Sequence, residues 1–253
     1  MGGVKIDQWS EIIGCEPEEY CDRLYASRPE WVVGTVSSYD ACFLFRRALE
    51  AATNLVVEIG TASGFSTVFL CHALNLASKA NLIGPDFEVV SYDLRTWFYA
   101  DETRETGDAA RELLEPELLE HVVFRSPATA LTVATHHDHD SLSFMFIDAN
   151  HAHPWPTLDL LATLDCLLPG AEVVLHDINL PVRKENFPEW GVKHLFDDLD
   201  VHKDVDSADP LPNIGSIVVP TEKELFRDQL LSILFAHTWE VDVGVDITTA
   251  ALA

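Results

Sequence analysis

Short apolar runs closed by polar or glycine residues alternate along this chain with stretches whose apolar residues recur every three or four positions. Val56, Val57 and Ile59 lead into a loop bounded by Gly60 and Gly64, and Phe65, Val68, Phe69, Ala73 and Leu76 then mark one face. This pattern predicts a buried strand, a tight loop and a helix to about residue 80, where Asn81 and Gly84-Pro85 break it. Similar patterns predict helices over 40–51, 108–119, 128–135, 156–168, 190–199 and 222–236, and strands over 88–94, 121–125, 142–148, 172–177 and 214–219. Residues 95–108, with Trp97, Phe98 and Tyr99, read as a polar and aromatic loop. In the tail, alternating Val241, Val243, Val245 and Ile247 predict one more strand.

Strands alternating with helices imply an α/β fold, a mostly parallel doubly wound sheet covered on both faces. No composition break marks a linker, so residues 1–253 read as one domain: a helical N-terminal extension over 1–33, a core over 34–220, and a helix and tail over 221–253. In such sheets ligands bind beyond the carboxyl ends of the strands. Gly60 and Gly64 follow the first strand, Asp93 ends the second, Ser126 follows the third, Asp148 ends the fourth and His176-Asp177 end the fifth. The two glycines let the backbone bend and let a ligand approach, and the next helix offers unpaired N–H groups at its start.

The charge balance narrows the partners. Sixteen basic against 42 acidic residues give a formal charge of −26, which repels phosphate backbones and anionic lipid. Nucleic acid and membranes are therefore not expected partners, and salt adaptation is one reading of the acidity. Cys15, Cys21, Cys42, Cys71 and Cys166 are odd in number and form no CxxC pair, so free thiols are expected. The first residues lack the apolar core of a signal peptide, and no apolar run reaches membrane-spanning length. A cytoplasmic protein is the expectation.

The glycine loop is GxxxG, one glycine short of the GxGxxG of dinucleotide sites, and it carries an acid, Glu58, two residues ahead of Gly60. Asp93 sits where an acid can accept both hydroxyls of a ribose. The segment Val56–Thr67 resembles motif I of class I S-adenosylmethionine-dependent methyltransferases, and Tyr92-Asp93-Leu94 resembles their ribose-binding motif. Further on, Phe146-Ile147-Asp148-Ala149-Asn150-His151 and the stretch from Leu168-Pro169-Gly170 to His176-Asp177 resemble a narrower group. That group holds the macrocin and mycinamicin sugar O-methyltransferases and the cephalosporin-hydroxylase-like proteins. The resemblance spans about residues 34–220. It implies a seven-stranded sheet with its last strand antiparallel, and methyl transfer to oxygen.

Carried onto this sequence, the resemblance implies an adenosylmethionine site made by Glu58, Gly60, Thr61, Ala62, Ser63, Gly64, Asp93, Leu94, Ser126 and Ala128. Methyl transfer from a sulfonium needs alignment and a deprotonated nucleophile. A hard divalent cation between carboxylates can bind a hydroxyl pair and lower its pKa. Asp148 and Asp177 match the group's first and last metal ligands, with His176 between them where the sugar methyltransferases have a glutamate. Imidazole suits transition metals better than magnesium, so the cation is Mg2+ or another divalent ion. His151, three residues after Asp148, falls where these enzymes place a general base, and His153 is a second candidate. The bland alternatives are strand-end acids that merely cap and histidines that bond the turn.

His136-His137-Asp138-His139-Asp140 is metal-like in composition but precedes the fourth strand, at the amino edge, and reads as a solvated loop. Trp97, Trp155 and Trp190 follow strands at the ligand edge, as do Arg95 and Arg183, which suit an anionic substrate group or local ion pairs. The sequence thus reads as an S-adenosylmethionine-dependent O-methyltransferase for a small hydroxylated acceptor. Homo-oligomerisation is compatible with that reading. The alternative is a non-catalytic protein that keeps the fold and binds an adenosyl ligand; a nucleotide-dependent oxidoreductase is disfavoured by the absent GxGxxG.

Overall fold

A computed structural model describes residues 9–207 and 209–252. Nine strands are formed among them: β1 (Leu55–Ile59), β2 (Glu88–Tyr92), β3 (Trp97–Phe98), β4 (Asp101–Glu105), β5 (Val122–Arg125), β6 (Leu142–Ile147), β7 (Leu167–His176), β8 (Lys203–Val205) and β9 (Ile214–Val218). Seven of them belong to one mostly parallel sheet with flanking helices, and β3 and β4 make a separate antiparallel hairpin. The fold is the Rossmann-like α/β class expected. The chain divides into two compact units, Met1–Pro127 and Ala128–Ala253.

In the first unit the strand order is β5-β2-β1, all parallel. Ile59 pairs with Tyr92, and Tyr92 with Arg125, so the three carboxyl ends lie side by side. Val56, Val57, Val89 and Val90 are fully or almost fully buried, as strands covered on both faces must be. Helix Ser38–Ala51 opens with a capping box, Ser37 and Asp40 each accepting the other's backbone N–H. It buries Phe43, Leu44, Phe45, Ala48 and Leu49 and packs on helix Phe65–Lys79.

In the second unit the order is β6-β7-β9-β8. β6 and β7 are parallel; β9 runs antiparallel to both β7 and β8. The seventh strand of the sheet is β8, at its edge, and not the tail: Val245–Leu252 is a helix. Val245 is 80% exposed, so the alternating valines bury no common face. The expected loop over 95–108 contains the β3–β4 hairpin. The helix expected over 108–119 breaks into Asp108–Leu113 and Pro116–Leu119, because Pro116 cannot continue the hydrogen-bond ladder. The helix expected over 156–168 is Trp155–Thr163 with a 3-10 turn to Cys166, and β7 begins at Leu167, with an irregularity between Leu142 and Phe144 of its partner. None of the five cysteines is in a disulfide, and among the described residues no helix is long and apolar enough to cross a membrane.

Asp159, on helix Trp155–Thr163, is 8% exposed, and burial pushes its carboxyl up to about 7. Between the ordinary aspartate value and about pH 7 the folded chain holds a proton that the unfolded chain has released, so stability falls as pH rises through that window. Asp159→Asn should therefore stabilise the protein near pH 8 by up to about 4 kcal/mol and give no gain near pH 4. Urea unfolding of both proteins at the two pH values checks this; an equal effect at both would refute it.

Candidate active site

The first unit carries the glycine loop. Gly60 (φ 101°) and Gly64 (φ 82°) both take left-handed backbone that other residues adopt only at a cost. Gly64 is also packed tightly: a Cβ there would lie 2.8 Å from the Gly107 Cα. Backbone bonds from Gly107 N to Ala62 O (3.0 Å) and from Ala109 N to Ser63 O (2.8 Å) fix that approach. Helix Phe65–Lys79 begins at Gly64 without a side-chain cap, so its first turn presents N–H groups at the end of β1.

Glu58 stands beneath this loop with no exposed surface. Its carboxylate accepts the hydroxyls of Ser66 (2.5 Å), Thr67 (2.5 Å) and Ser91, and Thr61 bonds Ser91 at 2.6 Å. Glu58 therefore acts through the loop, tying the helix start and β2 to β1. Asp93 closes the arrangement from the next strand: one carboxylate oxygen accepts Ala62 N and the other Arg95 N, each at 2.8 Å. A carboxylate has about four acceptor positions, so Asp93 keeps capacity for a ligand's hydroxyls. Leu94 beside it is 67% exposed, and Ser126, after β5, is exposed on the same edge of this unit. Ala128 is 8% exposed and belongs to the second unit.

The second unit gathers acids and imidazoles at the ends of its parallel strands. Ile147 pairs with Leu175, which sets Asp148 beside His176-Asp177. His151 Nε2 lies 3.4 Å from Asp148 Oδ1 and 3.1 Å from Asp177 Oδ2, and His176 Nδ1 lies 3.2 Å from Asp148 Oδ1. Burial works against a charged imidazole, but the Asp148 hydrogen bond and the Asp177 and Asp148 charges outweigh it and raise the His151 pKa. Burial likewise disfavours a charged Asp148; His176 and His151 reverse that and hold its carboxyl below the ordinary range.

Donor atoms of Asp148, His151 and Asp177 all lie within 4.8 Å of one another. Cation–oxygen distances of about 2.0–2.6 Å let one ion touch three donors so spaced, and two carboxylates with an imidazole suit a divalent cation. His176, expected as a ligand, is not one of that trio but adjoins it, its Nδ1 lying 3.2 Å from Asp148 Oδ1 and 3.6 Å from Asp177 Oδ2. His153, the second candidate base, is fully buried, with Nε2 on the Leu234 carbonyl at 3.2 Å.

Two residues of this site carried no signal in the sequence. Asn213 donates to Asp177 Oδ1, and its own backbone and side-chain oxygens accept the N–H groups of Ile178 and Asn179. It thereby holds Asp177, whose φ of 63° is unusual for a non-glycine residue. Its position just before β9, opposite the end of β7, becomes informative only once that antiparallel pairing is known. The carboxylate of Glu189 lies 3.7 Å from His151 Nδ1. Arg183 bonds Asp209 and the Leu211 carbonyl, the local ion-pair option. Of the histidine-rich tract, His136 ends a helix and Asp140 pairs with Lys223 at 2.9 Å; no member joins the trio above.

Residues 57–178 match the family model of a methyltransferase domain. The matched segment runs from the heart of β1 to just past Asp177. Among solved structures, the O-methyltransferase TomG from Streptomyces achromogenes, involved in Tomaymycin synthesis and bound to SAM, is 20% identical. The match covers 85% of this chain and 99% of that one, with a TM-score of 0.51. An O-methyltransferase from Bacillus cereus in complex with SAH is 18% identical over 85% of this chain and 100% of that one, with a TM-score of 0.54. SAH-bound methyltransferase PaMTH1 from Podospora anserina is 13% identical over 87% and 90%, with a TM-score of 0.52. These likenesses are likenesses of fold. No curated protein matched the sequence.

Proposed function

We propose that this chain is an S-adenosylmethionine-dependent O-methyltransferase acting on a small hydroxylated metabolite. The observation that carries the reading is the clamped glycine loop, with Asp93 bonded to Ala62 N at 2.8 Å, inside a segment that matches a methyltransferase domain. The loop N–H groups and helix start would receive the methionine end, Asp93 the ribose, and Leu94 and Ser126 the adenine. Three structural relatives with bound SAM or SAH support this choice of cofactor. An O-linked acceptor is supported by two of them being O-methyltransferases and by Asp148, His151 and Asp177, whose positions resemble those of the sugar O-methyltransferases.

His151 is the group that takes the acceptor's proton. Its ring is held by two carboxylates, and its raised pKa makes it a stronger base than free histidine. Asp148 and Asp177, with His151, would also hold a divalent cation, which when bound favours the deprotonated hydroxyl. Nε2 accommodates a proton or a cation, not both, so a metal requirement and a histidine-base pH limb are competing outcomes.

Calorimetry with S-adenosylmethionine, S-adenosylhomocysteine and NAD, each with and without Mg2+ or Mn2+, tests the reading. Binding of the adenosyl compounds and not of NAD is expected. Failure of both adenosyl compounds under every metal condition would sink it. Release of S-adenosylhomocysteine with a panel of sugars and phenols then separates an enzyme from a protein that only binds the cofactor.

A further inference from the structure

His151 is carried on the turn between β6 and helix Trp155–Thr163, and a turn needs outside support to hold a side chain in one orientation. That support comes from the C-terminal tail. The peptide group of Glu240 donates to His153 O at 2.8 Å, and its carboxylate accepts His153 N at 2.7 Å. The same carboxylate accepts Trp190 N, at 2.9 Å to Oε1 and 3.1 Å to Oε2. One side chain thus bridges two segments: the turn that bears His151, and the segment whose Glu189 faces His151 Nδ1 at 3.7 Å. The approach of those segments is close. A Cβ on Gly191 would meet His153 N at 2.6 Å and His151 O at 2.7 Å. The tail is itself anchored, since Trp239 Nε1 donates to Leu234 O at 2.9 Å and His153 Nε2 reaches the same carbonyl at 3.2 Å.

We infer that Glu240 is a positioning residue for His151, holding the 150–155 turn and the Glu189–Gly191 segment together so that Nε2 is presented to Asp148 and Asp177. The role given to His151 rests on the function proposed above; the positioning does not require that the acceptor be known. Carboxylates that accept backbone N–H groups make strong, charge-assisted hydrogen bonds, and two such bonds to different segments fix a distance that neither segment sets alone. Partners of this outer kind typically change metal affinity or activity 10–100-fold when removed.

The test uses the full chain with 13C-labelled histidine, comparing wild type, Glu240→Ala and Glu240→Gln, with the His151 Cε1–H signal assigned by its loss in His151→Asn. In Glu240→Ala the His151 signal should shift and broaden. His72 and His121, in the first unit, should keep their shifts, and S-adenosylmethionine affinity should be unchanged. Glu240→Gln retains an acceptor oxygen and should recover most of the wild-type signal. An unchanged His151 signal in Glu240→Ala overturns the inference, as does a change that spreads equally to His72 and His121. Mn2+ titration is read separately, with about tenfold weaker binding expected in Glu240→Ala. Absence of Mn2+ binding to wild type would count against the cation reading alone, because the His151 signal still decides the positioning role.

Discussion

Glu58→Ala should abolish S-adenosylmethionine binding and lower the melting temperature by about 10 °C. The carboxylate is fully buried and accepts three hydroxyls, from Ser66, Thr67 and Ser91, so its removal strips the acceptor from all of them at once. Ser66 and Thr67 can turn back to helix carbonyls, but Ser91 sits on β2 and is left with Thr61 alone. Hydrogen bonds to a charged group contribute about 1.5–3 kcal/mol each, so a net loss of about 3–5 kcal/mol is expected, and each kcal/mol moves the midpoint of a chain this long by about 2–4 °C. The binding loss has a separate cause. Without Glu58 the start of helix Phe65–Lys79 is no longer tied to β1 and β2, and the Gly60–Gly64 loop loses its fixed shape. Glu58→Gln, which keeps the size and one acceptor oxygen, should fall between. Calorimetry with S-adenosylmethionine and a thermal melt on all three proteins decide the matter, and tight binding by Glu58→Ala would refute the loop-scaffold role.

The position of this loop was legible from the chain because buried parallel strands are apolar runs, and the residue that ends each run must change character. Val56, Val57 and Ile59 then glycine, Val89 and Val90 then Asp93, and Phe144 to Ile147 then Asp148 all follow that rule. Elements with no buried face to advertise were lost. Lys203–Val205 is a three-residue edge strand, and Asp101–Glu105 is a mostly exposed run of acids, threonine and arginine whose strand pairing comes from the hairpin. The tail misled for the opposite reason: β-branched residues at alternate positions favour a strand, but with no partner strand for Val241 to Ile247, a helix from Val245 prevails.

Within the site, the residues named from the sequence are those at strand ends, and those that hold them in place are not. Asn213, Glu189 and Glu240 are lone polar residues in loops, with no spacing to mark them, and each gains meaning from an approach made by the tertiary fold. Glu58 was legible as an acid at the loop but not as a buried hub, since its partners Ser66, Thr67 and Ser91 look like ordinary helix and strand polar residues. His176 stands where the resemblance puts a glutamate; its Nδ1 lies 3.2 Å from Asp148 Oδ1 and 3.6 Å from Asp177 Oδ2, and Asp177 meets His151 just past the end of β7, in left-handed backbone.

Asp148→Ala should remove Mn2+ binding altogether, a loss of at least 100-fold, and should leave S-adenosylmethionine affinity intact. Asp148 is one of the two carboxylates in the trio with His151 and Asp177, and a cation held by one carboxylate and one imidazole is weakly held. The substitution should also move His151. In wild type the Asp148 hydrogen bond and the two carboxylate charges overcome burial and raise the imidazole pKa. A raised value means that the folded chain binds the proton more tightly than the unfolded chain does. That interaction therefore stabilises the protein fully below the ordinary histidine value of about 6.5 and fades as pH climbs through the folded value. Without Asp148, burial regains ground against Asp177 alone, and the His151 midpoint should fall. Following the His151 Cε1–H signal against pH in wild type and Asp148→Ala measures this directly, and a midpoint that stays or rises would show that Asp148 does not govern the base. If transfer runs through His151 in the metal-free enzyme, the acid limb of the rate profile should shift in the same direction, with a lower maximum because a weaker base accepts the hydroxyl proton less readily.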